Sequence, residues 1–324
     1  MGLELQTAGG YELREKVHSS PSGTLYRGFH PLLGREALVK LMPADALSHP
    51  EVLKRFQREI RLLAQLTHPN LMAALHAGVE LGVHYLVLEN VPGIDLQTKV
   101  VREGPLAMEA AVDAVCQAAE GLAFLHEKGI IHRNVKPSNL MIDPVGVVRV
   151  TNLTAALVGA DATVVMDDED LTREGQVLGT AEFLAPEQAF DSHSVDARSD
   201  IYSLGCTLYF LLCGQVPYPG AEGGHRKATA HVQRPIPSLR DTHPEISPEV
   251  DAVFQKMLAK MPVDRYQSMP DVITDLRRAA QGLAPQQAQA IGRNHLGLIV
   301  AAAILGVGIG AIAIVLVQRL LFAS

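Results

Sequence analysis

The sequence predicts an α+β chain: a small strand-rich part, a larger helical part, and one apolar helix long enough to cross a membrane. Three observations predict it. Residues 11–41 hold short runs of strand-favouring residues bounded by Gly and Pro. From Ala107 onward apolar residues recur at spacings of three and four. Leu296–Val317 is an unbroken run of 22 apolar and glycine residues without a charge.

Composition bounds the answer. The chain has 324 residues, 48% hydrophobic and 19% charged, enough apolar material for a packed core and too much for wholesale disorder. A formal net charge of −7 argues against a broad basic face, so no nucleic-acid partner is expected. The three cysteines, Cys116, Cys206 and Cys213, form no C-x-x-C pair, which excludes a disulfide scaffold and suits a reducing compartment.

Residues 1–10 read as an N-terminal extension. Thr24–Phe29 and Glu36–Leu41 follow as strands. A helix is predicted from Glu51 to Leu66, because Leu53, Phe56, Ile60 and Leu63 make one apolar stripe; Ser48 and Glu51 fit a capping box at its start. His84–Glu89 is another strand, broken by Val91-Pro-Gly. The helical part then opens. Ala107–Glu127 carries Val112, Val115, Ala119 and Leu122 on one face, with Gly129 just beyond its end. Ser199–Cys213 is apolar nearly all round, so it belongs inside a larger body, and Gly214 ends it. Val250–Ala259 and Met269–Ala280 are amphipathic. Residues 11–280 thus form one continuous unit, strand-rich to about 90 and helical from about 91. Residues 281–295 are a polar linker, 296–317 the apolar span and 318–324 a short tail.

At about 1.5 Å per residue the apolar run reaches about 33 Å, enough for a bilayer core of about 30 Å. Arg277, Arg278 and Arg293 precede it and Arg319 follows it, a basic excess that puts the N-terminal side in the cytoplasm. The first residues carry no basic or apolar leader, which points the same way. The expected location is therefore a cell membrane, crossed once. Gly306-x-x-x-Gly310 puts two small residues on one face of the span, which leaves a homodimer through Gly306 and Gly310 open.

The soluble part carries an ordered set of motifs. His132-Arg-Asn-Val-Lys-Pro-Ser-Asn139 resembles the protein-kinase catalytic loop H-R-D-x-K-P-x-N. Ala37-Leu-Val-Lys40 resembles V-A-I-K, and Glu59 sits at the helix glutamate that pairs with that lysine. Asn152-Leu-Thr154 fills the D-F-G slot, and Ala185-Pro-Glu187 is A-P-E, preceded by Gly179-Thr180. Asp200-Ile-Tyr-Ser-Leu-Gly205 matches D-x-x-S-x-G, and Arg265 fits a late structural arginine. The likeness spans about 270 residues and leans, through Lys136-Pro and Gly179-Thr180, to the bacterial membrane-linked serine/threonine branch. It implies the two-lobed kinase-like fold, with the strand-rich part as the N-lobe and the helical part as the C-lobe. It implies ATP as cofactor, and protein substrates or partners. Lys40 would grip the α- and β-phosphates, Glu59 would hold Lys40, Lys136 would neutralise the γ-phosphate, Asn139 would offer an oxygen to a metal, and Gly23 and Leu88 would line the nucleotide pocket.

The departures fall in the reacting centre. The catalytic-base position holds Asn134, whose amide cannot accept a hydroxyl proton; loss of a general base costs about 10²–10⁴-fold. The D-F-G aspartate is Asn152, a neutral ligand for magnesium, a hard cation that favours anionic oxygen. So the implied magnesium, at Asn139 and Asn152, is in doubt. Leu153 and Thr154 replace Phe and Gly, and of the three loop glycines only Gly23 remains, His18 and Ser20 standing at the others. Two readings follow. One is a membrane-anchored pseudokinase acting through partner binding; the other is a weakly active serine/threonine kinase, since Lys40, Glu59, Lys136 and Asn139 survive and much of this catalysis is electrostatic positioning.

Overall fold

The computed structural model describes residues 5–20, 23–42, 50–153, 157–158, 180–189, 195–220 and 223–287. The N-lobe is an antiparallel sheet of strands β1 (Thr7–Ala8), β2 (Tyr11–Ser20), β3 (Gly23–His30), β4 (Arg35–Leu41), β5 (Ala74–Glu80) and β6 (Val83–Glu89), in the order β1-β2-β3-β4-β6-β5. One helix, α1 (Pro50–Leu63), lies against it.

Side chains alternate along a strand, and this sorts the two faces of the sheet. Ala37, Val39, Leu41, Tyr85 and Val87 form a small cluster with Ala8 and Tyr11 on one face. Lys40 and its cross-strand partner Leu86 therefore point the other way, toward α1. On α1 the predicted stripe is the packed face: Phe56 and Leu63 are buried, and Leu53 and Ile60 pack half-buried on the main core. Glu59, three residues after Phe56, shares that inner face.

The C-lobe begins with β7 (Ile94–Asp95) and α2 (Leu96–Glu103), whose N-cap is the Asp95 carboxylate accepting from the Thr98 amide. α3 (Met108–Glu127) follows, ending where Gly129 turns left-handed. The catalytic-loop sequence runs between β8 (Ile130–Ile131) and the hairpin β9 (Leu140–Ile142) and β10 (Val148–Val150). β9 also pairs with β7. That pairing needs a glycine at 93, where φ is +124° and an added Cβ would lie 2.0 Å from the Ile142 carbonyl. β11 (Leu157–Val158) pairs with β8. α4 (Ala197–Cys213) is buried from Ser199 to Leu212, as its all-round apolar sequence requires. α5 (Gly224–Gln233), α6 (Pro248–Met257) and α7 (Met269–Ala280) complete the lobe.

Two helices were not legible. α2 offers only Leu96 and Val100 to the core, and α5 is short and mostly polar, so neither has the periodicity of a long amphipathic helix. The Ser48 cap lies outside the described residues, as do 288–295, the apolar run 296–317 with Gly306 and Gly310, and the tail. No helix among the described residues is long and apolar enough to cross a membrane.

The first residues of the predicted linker pack onto the lobe. Asp275, 1% exposed, accepts from the Tyr266 hydroxyl (2.8 Å) and from the amides of Gln286 (2.7 Å) and Gln287 (2.9 Å). Lys256 Nζ closes the clamp on the Gln287 carbonyl at 2.7 Å. Asp275→Ala should lower stability by about 1–3 kcal/mol, the cost of stranding buried donors. It should also raise hydrogen exchange at the Gln286 and Gln287 amides; unchanged exchange there would show that the clamp does not hold the segment.

Candidate active site between the lobes

Lys40 reaches α1 as its strand register predicts. Its Nζ lies 2.7 Å from Glu59 Oε2 and 3.0 Å from Oε1, with both residues under 10% exposed. A buried pair of this kind adds little net stability, but removing one partner strands a charge at a cost of about 3–5 kcal/mol. Its value is positional: a flexible four-carbon chain is fixed at one place in the cleft. Gly23 lies directly beside it. There φ is +138°, and an added Cβ would meet the Leu41 carbonyl at 2.6 Å and Lys40 Cε at 3.3 Å. The third loop glycine is thus required by close backbone approach next to the lysine. Leu88 pairs with Leu38 of β4 and packs half-buried on the main core.

The catalytic loop is held by a buried carboxylate. Asp200, fully buried near the start of α4, accepts from the backbone amides of His132 (2.9 Å) and Arg133 (2.8 Å), and His126 Nε2 lies 2.8 Å from it. Burial pushes its carboxyl upward, but the His126 ring and the His132 amide outweigh that and hold it below its ordinary value. The His132 ring is buried too, and desolvation lowers its pKa, so it is neutral. Its Nδ1 accepts from the Asn134 amide (3.2 Å), so Nε2 carries the hydrogen and donates to the Thr151 carbonyl (3.0 Å). One ring therefore ties the loop to the residue preceding Asn152. Gln188, just past the A-P-E motif, donates to the Arg133 carbonyl at 3.0 Å. Arg133 and Asn152 both adopt left-handed backbone, with φ of +64° and +62°. Asparagine tolerates that region better than most residues, which suits it to position 152.

The three asparagines come together as a chain of amides. Asn139 Nδ2 donates to the Asn134 carbonyl at 2.7 Å, and Asn152 Nδ2 faces Asn139 Oδ1 at 3.4 Å. The Asn139 carbonyl in turn accepts from the Thr151 amide (2.9 Å) and hydroxyl (3.2 Å). Asn134 Oδ1 and Arg133 Nε are buried without a hydrogen-bond partner among the described residues. Lys136 lies in the same loop, half-buried. Leu153 is buried in the main core, so the residue in the phenylalanine slot still serves as a core side chain.

The donor set suits a nucleotide and not a magnesium ion. Gly23 gives close approach and Lys40 a positioned cation. The two implied metal ligands are neutral amides already bonded to each other. Asp143, the nearest acid in the loop that follows, is spent on its turn: its carboxylate accepts from the Val147 and Val145 amides and from Arg149 (2.8, 3.0 and 3.1 Å), which holds it below the usual carboxylate range. No group of three or more His, Cys, Asp or Glu among the described residues could hold a metal. Thr154 and Gly179 lie outside the described residues.

Other motif residues have structural work. Arg265, fully buried, makes two 2.7 Å bonds to the Glu187 carboxylate, which joins the A-P-E segment to the lobe. Cys206 and Cys213 are packing residues, and burial pushes both thiols upward. Sequence reasoning found Asp200 as part of a motif and missed its role; a lone acid in an otherwise apolar helix was the available signal. Nothing in the sequence pointed to His126, Thr151 or Gln188.

Comparisons with known proteins agree with this geometry. The protein kinase domain family matches residues 11–275. Serine/threonine-protein kinase PknB of Mycolicibacterium smegmatis is 38% identical over 280 residues, covering 85% of this chain and 44% of that protein. PknB of Mycobacterium leprae is 40% identical over 259 residues, covering 78% and 40%. The chain thus spans less than half the length of these relatives. The crystal structure of a cysteine-to-alanine mutant of the PknI kinase domain of Mycobacterium tuberculosis superposes with a TM-score of 0.63 at 22% identity, covering 86% of this chain and all of that one, a likeness of fold. With the motif order, the Lys40–Glu59 pair and the Asp200 clamp in place, the chain belongs to the protein kinase domain family.

Proposed function

We propose that this chain is a membrane-anchored serine/threonine-kinase-like protein whose phosphoryl-transfer chemistry is impaired and which acts in signalling by binding protein partners. On this reading the kinase-like domain is cytoplasmic, Leu296–Val317 is a single membrane span, and the cleft keeps a nucleotide pocket for ATP. The observation that carries it is the set of neutral side chains at 134, 139 and 152, where Asn152 donates to Asn139 and Asn139 to the Asn134 backbone carbonyl, beside a retained Lys40–Glu59 pair. A base position that cannot take a proton and a metal position without negative charge remove two of the groups that kinase phosphoryl transfer uses.

A second reading, a weakly active serine/threonine kinase, is favoured by a different observation. Lys40 and Glu59 are paired, and Asn134 Oδ1 is a buried acceptor without a donor among the described residues, placed in the catalytic loop where a substrate hydroxyl could be oriented though not deprotonated.

Phosphoryl transfer by the full chain in detergent or lipid discs separates the two. With γ-labelled ATP, magnesium or manganese and a generic protein acceptor, the expected label equals that of Lys40→Met, with folding of the variant checked by its Tm. Label above that control would establish residual kinase activity. Restoring both acids, Asn134→Asp with Asn152→Asp, should raise transfer by more than the product of the two single effects, because base and metal act in one step. Additive or null effects would put the block in the loop around His18 and Ser20 instead. Gly306→Leu should weaken self-association in a membrane reporter, and an unchanged signal would remove the dimer.

A further inference from the structure

The retained pocket reading raises the question of how a triphosphate is held at a site with so little affinity for magnesium. We infer that the cleft binds its nucleoside triphosphate without a divalent cation, the side-chain amide of Asn152 taking the place the metal would occupy. The inference rests on the nucleotide pocket proposed above and goes beyond it by assigning the ligand's metal-free form.

The first step is charge. Magnesium sheds water reluctantly and is held by carboxylates and phosphates. Asn139 and Asn152 offer it neutral oxygen only. Glu59 is bonded to Lys40, and Asp143 to its own turn and Arg149.

The second step is orientation. Asn139 has its side chain engaged at both ends, Nδ2 on the Asn134 carbonyl and Oδ1 toward Asn152 Nδ2. Reversing the Asn152 amide would set two oxygens against each other, an arrangement that only a cation between them would relieve. With nitrogen inward, an N–H does what the cation would do, and Asn139 Oδ1 needs no metal. An aspartate at 152 could not make this contact, since an ionised carboxylate only accepts.

The third step is the ligand. An aspartate at this position repels the phosphates unless a cation lies between. Asn152 carries no charge and has N–H groups to donate. Together with Lys40 beside Gly23 and with Lys136 in the catalytic loop, it makes a site of donors, which suits phosphate oxygens directly.

The test is ATP affinity of the full chain in lipid discs, by calorimetry at constant ionic strength, once with excess EDTA and once with excess magnesium. The ATP-induced rise in Tm is the second readout. The expected gain from magnesium is threefold or less. Asn152→Asp should make binding magnesium-dependent, with affinity at least tenfold higher with the metal than with EDTA. A gain above threefold in the unmodified chain would overturn the metal-free assignment while leaving the pocket. Equal affinities for Asn152→Asp in both conditions would overturn the role given to the Asn152 amide. Absence of ATP binding in both conditions would overturn the pocket reading itself and this inference with it.

Discussion

The carboxylate of Asp200 is the point on which the site depends. It is buried in α4, the most deeply enclosed helix of the C-lobe, and it accepts from two consecutive amides of the catalytic loop. Those amides face inward because Arg133 takes a left-handed conformation that nothing in its own side chain favours. Hydrogen bonds to a buried charge are worth about 1.5–3 kcal/mol each, enough to hold such a turn. The neutral His132 ring then carries the constraint onward to Thr151, and so to the backbone that presents Asn152. The loop and residue 152 are therefore one mechanical unit, whatever side chains stand at 134 and 152.

This separates two kinds of residue that motif matching treats alike. Asp200, Glu187 and Arg265 shape backbone, and all three keep their acid or base. Positions 134 and 152 stand where the family's motifs carry aspartate, and both are asparagine here. Asn is nearly isosteric with Asp, tolerates the left-handed region at 152 and keeps an oxygen at 134. The backbone framework is thus kept while the side chains at these two positions are neutral. The retained Lys40–Glu59 pair fits the same division, since it fixes α1 against the sheet and breaking it would strand a buried charge.

Much of the fold was legible because its signals are periodic or ordered. The α1 stripe, the glycine stops after α3 and α4, and the apolar α4 appear as read. Lys40 and Glu59 were paired by motif order, and strand alternation with helical spacing explains why they meet. What stayed hidden was long-range and polar: His126 against Asp200, Gln188 on the Arg133 carbonyl, and Asp275 on the amides of Gln286 and Gln287. Such contacts have no period. They join residues up to 74 apart along the chain, and no local pattern encodes the pairing. The Asn152–Asn139 contact was hidden for another reason. The sequence names two neutral ligands, but only geometry says that one donates to the other.

The Asp275 clamp also changes how the domain would sit at a membrane. Read from sequence, residues 281–295 are a free polar linker. In the structure Pro285 is buried, and Gln286 and Gln287 are bonded to α7, so only residues 288–295 separate the folded lobe from the apolar run. Eight residues reach about 26–29 Å when fully extended. If Leu296–Val317 spans the bilayer, Gln287, held on Asp275 of α7, must then lie within that distance of its surface. Arg277 and Arg278, in the last turn of α7, lie two and three residues beyond that anchoring aspartate. The buried carboxylate that closes the lobe would thereby restrict which face the domain can turn toward the membrane.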